Sequence, residues 1–363
     1  MAISRTLPTR YDQSLRVFPS LASRLGVVAL VAFVVSLPYW LSNDWLQTLS
    51  IAGCFAIGAI SLNLLIGYTG QVSLGHAFFL AVGGYTVAHI GHDAHLGVIG
   101  WLLLAGLVGA AVGAAIGPFA LRLQGNYLAI VTIALLFVSD YLWNRWTWFT
   151  GGGLGKQPNP PINVGPINFA NLHQVGFDHR EQGVLWLIWI IVAIVAILSK
   201  NLVRSRPGRA MQAVRDRDLA AEAIGVSLTR YKVGAFAVSS AFAAMAGALY
   251  FDVVLRSITP EQVTGPQGLL LTIQFVAAII IGGLGTIYGS IIGALFIGFV
   301  PELTRRFGTY LPFIGDDKLF TVNSFNNLLF GFLIVVFLII EPYGLAALWR
   351  RIKAYFTTWP FSY

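Results

Sequence analysis

Long apolar runs separated by shorter polar segments fill most of the 363-residue chain. The runs are continuous rather than alternating, which is typical of membrane-spanning helices and not of membrane β-barrels. We predict ten spans: Leu25–Leu41, Leu46–Ile66, a third that ends near Ile90, Leu96–Phe119, Leu128–Leu142, Gly183–Ser199, Val233–Phe251, Leu269–Ile281, Ile287–Val300 and Phe325–Ile340. The pattern therefore predicts an all-α integral membrane protein with about ten transmembrane helices.

Glycine modifies this pattern in two places. Gly109, Gly113 and Gly117 recur one helical turn apart in the fourth span, which predicts a face that packs closely against another helix. GGLGT (Gly282–Thr286) separates the eighth span from the ninth, so these two are either full spans joined by a loop or pieces of a broken, re-entrant helix.

Polar segments divide the chain into three parts: an N-terminal tail at 1–24, a transmembrane domain at 25–340 and a C-terminal tail at 341–363. The first apolar run leads directly into further membrane sequence, so we expect an uncleaved anchor rather than a signal peptide. Within the domain, 144–182 is a long external segment. It includes TGGGLGKQPNPP (Thr150–Pro161), which is too rich in glycine and proline for regular structure.

Composition supports this assignment, because 56% of the residues are hydrophobic and only 10% are charged. Soluble domains carry roughly 25% charged residues, so a water-soluble protein is excluded. The net charge of +8 does not indicate nucleic-acid binding, since the cations gather beside the spans. The single Cys54 excludes an intrachain disulfide.

The lysines and arginines also orient the ten spans. Sixteen of the 23 fall on the side of the termini and of residues 200–232, and seven fall on the other side. Cytoplasmic loops carry an excess of these residues, so both termini and the 200–232 loop are predicted to be cytoplasmic.

The segment Lys200–Lys232 is the most highly charged part of the chain, with eight cations and three acids. Its residues Gly208–Ile224 predict a short helix that is entered through Pro207 and stopped by Gly225. Apolar positions of that helix are Ala210, Met211, Val214, Leu219, Ala220, Ala223 and Ile224. The loop is either a binding element for another protein or a solvated basic loop that only fixes topology.

The sequence offers little for an enzyme, and we expect no catalytic residues. GGGLGKQ (Gly151–Gln157) lacks the first glycine and the Ser/Thr of a phosphate-binding loop. His89, His92 and His95, with Asp93 between them, have the spacing of a metal cluster, but without a closed ligand set we interpret them as loop histidines and expect no metal.

Polar residues inside membrane segments are the remaining candidates for a site. Asp140, Asp252 and Glu302 lie near predicted span ends, where we expect headgroup water to solvate them. A cluster of neutral polar groups follows the second span, interleaved with glycines: Tyr68, Thr69, Gln71, Ser73 and His76. This junction either lines a path for a polar, zwitterionic solute or forms a tight cytoplasmic turn without a ligand.

Several segments closely resemble the permeases of branched-chain amino-acid ABC importers of the LivM type. They are SLNLLIGYTGQVSLGHAFFLAVGGYT (Ser61–Thr86), YLAIVTIAL (Tyr127–Leu135), FTGGGLG (Phe149–Gly155), the run Arg209–Tyr250, GGLGTIYGSIIGA (Gly282–Ala294) and EPYGL (Glu341–Leu345). They occur in the family's order and cover roughly residues 45–345.

The resemblance implies a subunit in a bacterial inner membrane that pairs with a LivH-type permease, two ATPases of the LivG/LivF type and an external solute-binding protein. The partner ATPases would bind ATP and magnesium, and this chain would bind no cofactor. The 200–232 stretch would be the coupling loop to the ATPases, carried by Arg209, Arg215, Asp218, Ala220, Ala221, Glu222, Gly225 and Arg230. The acid of the general importer pattern EAA is replaced here by Leu219, and Glu222 is displaced.

Family resemblance leaves the solute open. Branched-chain amino acids, other amino acids, and urea or short amides all suit this architecture, and we expect an amino acid. An ion-coupled secondary transporter is the rival mechanism, but it requires a buried carboxylate, and Asp140, Asp252 and Glu302 all appear in the sequence as peripheral.

Overall fold

The computed structural model describes residues 26, 29, 32–91, 96–122, 126–172, 176, 177, 179–308, 321–341 and 343–358. Its helices are α1 (Asn43–Thr69), α2 (His76–Ile90), α3 (Val98–Arg122), α4 (Asn126–Arg145), α5 (Thr147–Thr150), α6 (Arg180–Arg204), α7 (Arg206–Asp216), α8 (Asp218–Ala223), α9 (Leu228–Gly247), α10 (Pro260–Val263), α11 (Gly265–Gly282), α12 (Ile287–Gly308), α13 (Val322–Ile340) and α14 (Gly344–Thr358). Helix α9 continues without interruption as a π-helix, Ala248–Leu255. Short 3-10 turns occur at Leu37–Tyr39 and Gly152–Leu154.

Seven helices in the described part of the chain are long and apolar enough to cross a membrane: α1, α3, α4, α6, α9 with its π-helical continuation, α11 and α12. Two shorter apolar helices, α2 and Ser324–Phe337 within α13, match the third and tenth predicted spans. The first predicted span is described only at 26, 29 and 32–41, and the N-terminal tail 1–24 lies outside the described residues. The chain is an all-α membrane protein, as predicted.

Helix α1 lies at the centre of the bundle. In its membrane-crossing stretch 89% of the residues are buried, against 28% in α4. Its 27 residues correspond to a length of about 40 Å at roughly 1.5 Å per residue. The helix ends at Gly70, whose positive φ of 70° forms a left-handed C-cap. Helix α1 therefore runs from one end of the bundle to the other, and depth in the bundle can be measured along it.

The glycines of α3 pack against α9, as predicted. A Cβ atom added to Gly109 would lie 2.6 Å from the Ser240 carbonyl oxygen, and one added to Gly117 would lie 3.2 Å from the Cα atom of Val233. Gly113 lies between these two glycines, and a Cβ atom added to it would lie 3.1 Å from the Phe236 carbonyl oxygen. Side chains larger than hydrogen would force the two backbones apart.

The segment Gly282–Thr286 is a loop and not part of a broken helix. Helix α11 ends at Gly282, where Gly283 adopts a φ of 117°, and α12 starts at Ile287. Both helices are long enough to span a membrane, so the re-entrant alternative is wrong.

The segment 144–182, which we predicted to be external, contains several short regular elements. It forms α5, a 3-10 turn and the antiparallel hairpin of β1 (Asn163–Val164) and β2 (Ile167–Asn168). Lys156 also forms a β-bridge with Ile258, in the connection that follows the π-helix. Glycines at positive φ, among them Gly151 and Gly165, make the turns between these short elements. The 3-10 turn and the Lys156 bridge lie within Thr150–Pro161, so the prediction of no regular structure for that stretch was wrong. The hairpin lies beyond it.

Candidate functional site: the charged loop and the polar junction

The charged loop forms two short helices, α7 and α8, between the long helices α6 and α9. Ser205 caps α7, because its hydroxyl accepts a hydrogen bond from the Gly208 amide at 3.4 Å. Pro207 occupies the first turn, as predicted, where its missing amide hydrogen costs nothing. The loop therefore has a defined entry into its first helix.

The prediction of one helix over Gly208–Ile224 was wrong, because the chain breaks at Arg217. This residue is extended, with φ −156° and ψ 102°. The bend starts a new helix at Asp218, whose carboxylate lies 3.6 Å from the Lys232 ammonium group at the start of α9. The pair thus ties α8 to the helix that leaves the loop.

Helix α7 lies against the bundle along one stripe. Gly208, Met211 and Val214 are buried at three-residue spacing, which places them on one helical face. Leu219 and Ile224 behave differently, since each is 78% exposed. We predicted these two as apolar positions of the same helix, and in the structure the described residues leave both side chains uncovered.

Arg215 connects the loop to the end of α1. Its guanidinium donates a hydrogen bond to the carbonyl oxygen of Gly67, one of the last residues of α1. A Cβ atom added to Gly70 would lie 3.5 Å from the Cγ atom of Arg215, and one added to Gly285 would lie 3.1 Å from an Arg215 guanidinium nitrogen. We call this meeting of Arg215, Gly67 and Gly285 the coupling-end contact.

A buried asparagine extends the coupling-end contact into the bundle. Asn63, on α1, donates from its amide nitrogen to the Thr286 carbonyl oxygen at 3.0 Å and to the Ser290 hydroxyl at 2.7 Å. Its amide oxygen accepts from the Gly285 backbone amide at 2.9 Å. Sequence reasoning missed this residue, because an isolated asparagine inside an apolar run gives no indication of its partners.

The other predicted coupling residues fall into two groups. Arg209 donates to the Arg204 carbonyl oxygen at 2.9 Å, which satisfies the end of α6, and Ala221 is buried against the bundle. Exposed residues form the second group: Ala220, Glu222, Gly225 and Arg230. Gly225 has a φ of 87°, so its predicted role of ending the helical segment agrees with its backbone conformation.

The polar junction lies inside the bundle, not at its surface. Tyr68 and Thr69 are in the last turn of α1, and His76 begins α2, where its Nε2 atom lies 2.8 Å from the Ser61 hydroxyl oxygen. All five predicted residues of the junction are less than a tenth exposed. The connection between the two helices is hydrogen-bonded to α4, because the Leu74 amide donates to the Thr132 hydroxyl at 2.9 Å.

Two side chains of the junction are unsatisfied. Both amide atoms of Gln71 and the hydroxyl of Ser73 are buried without a hydrogen-bond partner among the described residues. A buried polar group without a partner costs about 1–3 kcal/mol, so this arrangement favours a state in which these groups meet water, a solute or another chain. The solute path and the closed turn both remain predictions for these residues.

The three carboxylates near span ends differ from one another. Asp140 is exposed and accepts from the Thr264 hydroxyl at 2.7 Å. Glu302 is buried but accepts from the guanidinium of Arg305 at 2.9 Å. Asp252, in the π-helix, is fully buried and neither of its oxygens has a partner among the described residues. The expectation that headgroup water solvates all three was wrong for Asp252, because the helices packed around the π-helix cover it.

The histidine cluster cannot be assembled from the described residues. The Nδ1 atom of His89 lies 2.8 Å from the ammonium nitrogen of Lys156. The His89 ring also packs against Trp148 and Phe149. His92, Asp93 and His95 lie outside the described residues. Within the described part, no three metal-ligating side chains come together.

Comparisons with known proteins agree with the motifs. Residues 45–338 match the family model described as "Branched-chain amino acid transport system / permease component". The chain is 30% identical to the high-affinity branched-chain amino acid transport system permease protein LivM of Salmonella typhimurium over 90% of this chain and 76% of that protein.

Other relatives have different names. The chain is 26% identical to the LivH permease protein of Escherichia coli, over 71% of this chain and 84% of LivH. It is also 26% identical to the ribose import permease protein RbsC of Escherichia coli, over 77% of this chain and 83% of RbsC. No solved structure is significantly similar to the chain.

Proposed function

Because this chain belongs to the family of branched-chain amino acid transport permeases, we propose that it is the membrane subunit of an ATP-driven importer for branched-chain or other apolar amino acids. It forms half of the translocation path and pairs with a LivH-type permease. Two ATPases of the LivG/LivF type hydrolyse ATP, with its magnesium, and an external binding protein delivers the solute.

The observation that carries the proposal is the coupling-end contact. A permease without its own nucleotide site can use ATP only through mechanical contact with a motor subunit. Arg215 joins the charged loop to the end of the central helix α1 and to the loop between α11 and α12. A displacement of α7 is therefore transmitted to three membrane helices at once.

The exposed side of the loop supplies a surface for the motor. Leu219 and Ile224 are exposed apolar side chains there, and exposed Arg217 and Glu222 lie beside them in the chain. Apolar side chains rimmed by charged ones are typical of protein interfaces. We propose that this surface binds an ATPase subunit, which places the loop and both termini in the cytoplasm.

The solute assignment rests on the family and on charge. The described residues leave one unpaired buried carboxylate, Asp252, so most of the interior suits a neutral or zwitterionic solute. Urea or a short amide is the second candidate. Burial of Asp252 removes our sequence-based objection to an ion-coupled mechanism, and the family membership is now what favours ATP.

Reconstitution of the four-subunit complex with its binding protein tests the proposal. We expect uptake of labelled L-leucine into proteoliposomes to require ATP, and to be lost with a hydrolysis-deficient ATPase. Competition with other amino acids and urea defines the solute. Uptake that continues without hydrolysis and follows a proton or sodium gradient would contradict the ABC assignment.

Substitution of the exposed surface tests the loop. We expect Leu219→Asp together with Ile224→Asp to abolish co-purification of the ATPases while the permease pair still assembles. Leu154→Asp is the matched control, since Leu154 is 93% exposed and lies in the external segment. Normal ATPase binding by the double variant would refute the proposed interface.

A further inference from the structure

Two cavities open at the end of the bundle opposite the coupling-end contact. The larger, of about 480 Å³, lies between α1, α12 and the π-helix, and it begins beside Asp44 in the first turn of α1. The second, of about 350 Å³, lies between the π-helix, α10 and α11. Both are lined by Tyr250 and Gln274, so they adjoin at these two side chains. Small-molecule sites are typically ~300–1,000 Å³, so the space is sufficient for an amino acid.

The lining of these cavities combines neutral polar groups with apolar walls. Gln47 and Thr48 lie one turn into α1, and Tyr250 and Gln274 face them from the π-helix and α11. The side chains of Tyr250 and Gln274 are half-buried, and both line the two cavities. Apolar surface between them comes from Ile51, Phe55, Ile297 and Phe330.

The charges at the mouth of the larger cavity neutralise one another. Glu302 pairs with both Arg305 and Arg306, and Asp44 lies 3.2 Å from Arg305 and 3.9 Å from Arg306. Two acids and two cations therefore form one network with no net charge. A solute with a net charge is therefore not attracted to this mouth, whereas a zwitterion can pair its ammonium group with an acid and its carboxylate with an arginine.

An aromatic layer closes the floor of the cavity. Phe55 stacks on Phe275 at a ring distance of 4.7 Å, and Tyr250 meets Phe55 edge-on at 5.6 Å. One turn further along α1, Gly58 packs directly against Phe275, and its carbonyl oxygen lies 3.1 Å from the His76 Nε2 atom. The aromatic layer thus separates the open cavity from the buried polar junction.

We infer that these adjoining cavities form a binding site for the transported solute, a zwitterion with an apolar side chain. Gln274 and Tyr250 bind its polar head, and the apolar walls of α1 and α12 contact its side chain. Phe55 and Phe275 are the barrier that separates this site from the polar junction in the present conformation. The inference rests on the proposed function, because it names the residues that hold the solute of that importer.

Protection from chemical labelling tests occupancy of the site. Thr48→Cys places a thiol on the cavity wall, while the native Cys54 is buried and contributes little background. With L-leucine as the probe, we expect the rate of maleimide labelling at Thr48→Cys to fall several-fold in the reconstituted complex. Leu154→Cys, at an exposed position of the external segment, should label at the same rate with and without leucine.

Uptake measurements test the polar groups. Gln274→Leu removes the amide at similar volume, and we expect it to lower leucine uptake about fivefold, the factor that corresponds to one lost hydrogen bond. It should also remove the leucine protection of Thr48→Cys, which a general loss of stability would not do selectively. Gln157→Leu is the matched control, because Gln157 is exposed in the external segment.

The outcomes separate the two proposals. If the wild-type complex shows no ATP-dependent uptake of leucine, the proposed function fails. If wild-type uptake is normal but Thr48→Cys is not protected and Gln274→Leu transports like Gln157→Leu, this site is wrong. Protection by urea and not by leucine would overturn the solute class.

Discussion

The two ends of helix α1 differ in how closely they are joined to neighbouring elements. At the end next to the charged loop, the Asn63 side-chain amide makes three hydrogen bonds and Arg215 donates to the Gly67 carbonyl oxygen. At the other end, Tyr250 and Gln274 face open space. One end is locked by specific hydrogen bonds, and the other is open.

This difference identifies the conformation of the protein and the contacts that must change. A transporter alternates between two arrangements, and a ligand or motor shifts their populations. The present arrangement is closed at the loop end and open at the opposite end. Opening of the loop end requires that the contacts of Asn63 and Arg215 be broken, and Arg215 lies on α7, in the loop that we propose binds the ATPase.

The largest effect is expected from Gly67→Val. A Cβ atom at this position would lie 2.7 Å from the Gly285 backbone nitrogen and would also overlap the Asn63 side chain. Because backbone must move, we expect a loss of about 3 kcal/mol and no transport. Thermal unfolding followed by size-exclusion chromatography measures the loss of stability. Gly331→Val is the control, since nothing lies within 4 Å of a Cβ atom there, and equal behaviour of the two variants would show that the loop end is not locked.

A smaller effect is expected from Arg215→Glu. The variant loses a charge-assisted hydrogen bond to Gly67 and places a carboxylate against carbonyl oxygens, so we expect uptake to fall about tenfold or more. The complex should still insert, assemble and hydrolyse ATP. Arg350→Glu, an exposed arginine of α14, should transport normally. Uptake by Arg215→Glu at the wild-type rate would contradict the coupling role that we propose for this residue.

The smallest effect is expected at the open end from Arg305→Ala. Arg305 contacts both Glu302 and Asp44, but its side chain is 58% exposed and Arg306 also pairs with both acids. Exposed ion pairs contribute little, so thermal stability and leucine uptake should stay near the wild-type values. A loss as large as that of Gly67→Val would mean that the open end is fixed by charge.

Local patterns predicted most of the architecture. The apolar runs located the spans, including the start of α12 at Ile287, and the spacing of Gly109, Gly113 and Gly117 predicted the contact face of α3. Such features depend on residues one or two helical turns apart, which is the range that periodicity reports.

Contacts between distant residues could not be predicted in this way. Asn63 is 223 residues from Thr286 in the chain, so no local pattern pairs them. The sequence likewise marked Leu219 and Ile224 as apolar positions of a helix but could not tell whether the bundle covers them. The cavity lined by Tyr250 and Gln274 combines residues from separate helices and carries no sequence motif.

The glycine contacts between α3 and α9 determine which helices can shift relative to each other. Where backbones touch at Gly109, Gly113 and Gly117, sliding by a fraction of a turn would drive carbonyl oxygens into Cα atoms. Helices α3 and α9 must therefore travel as a single block whenever the charged loop pulls on α9.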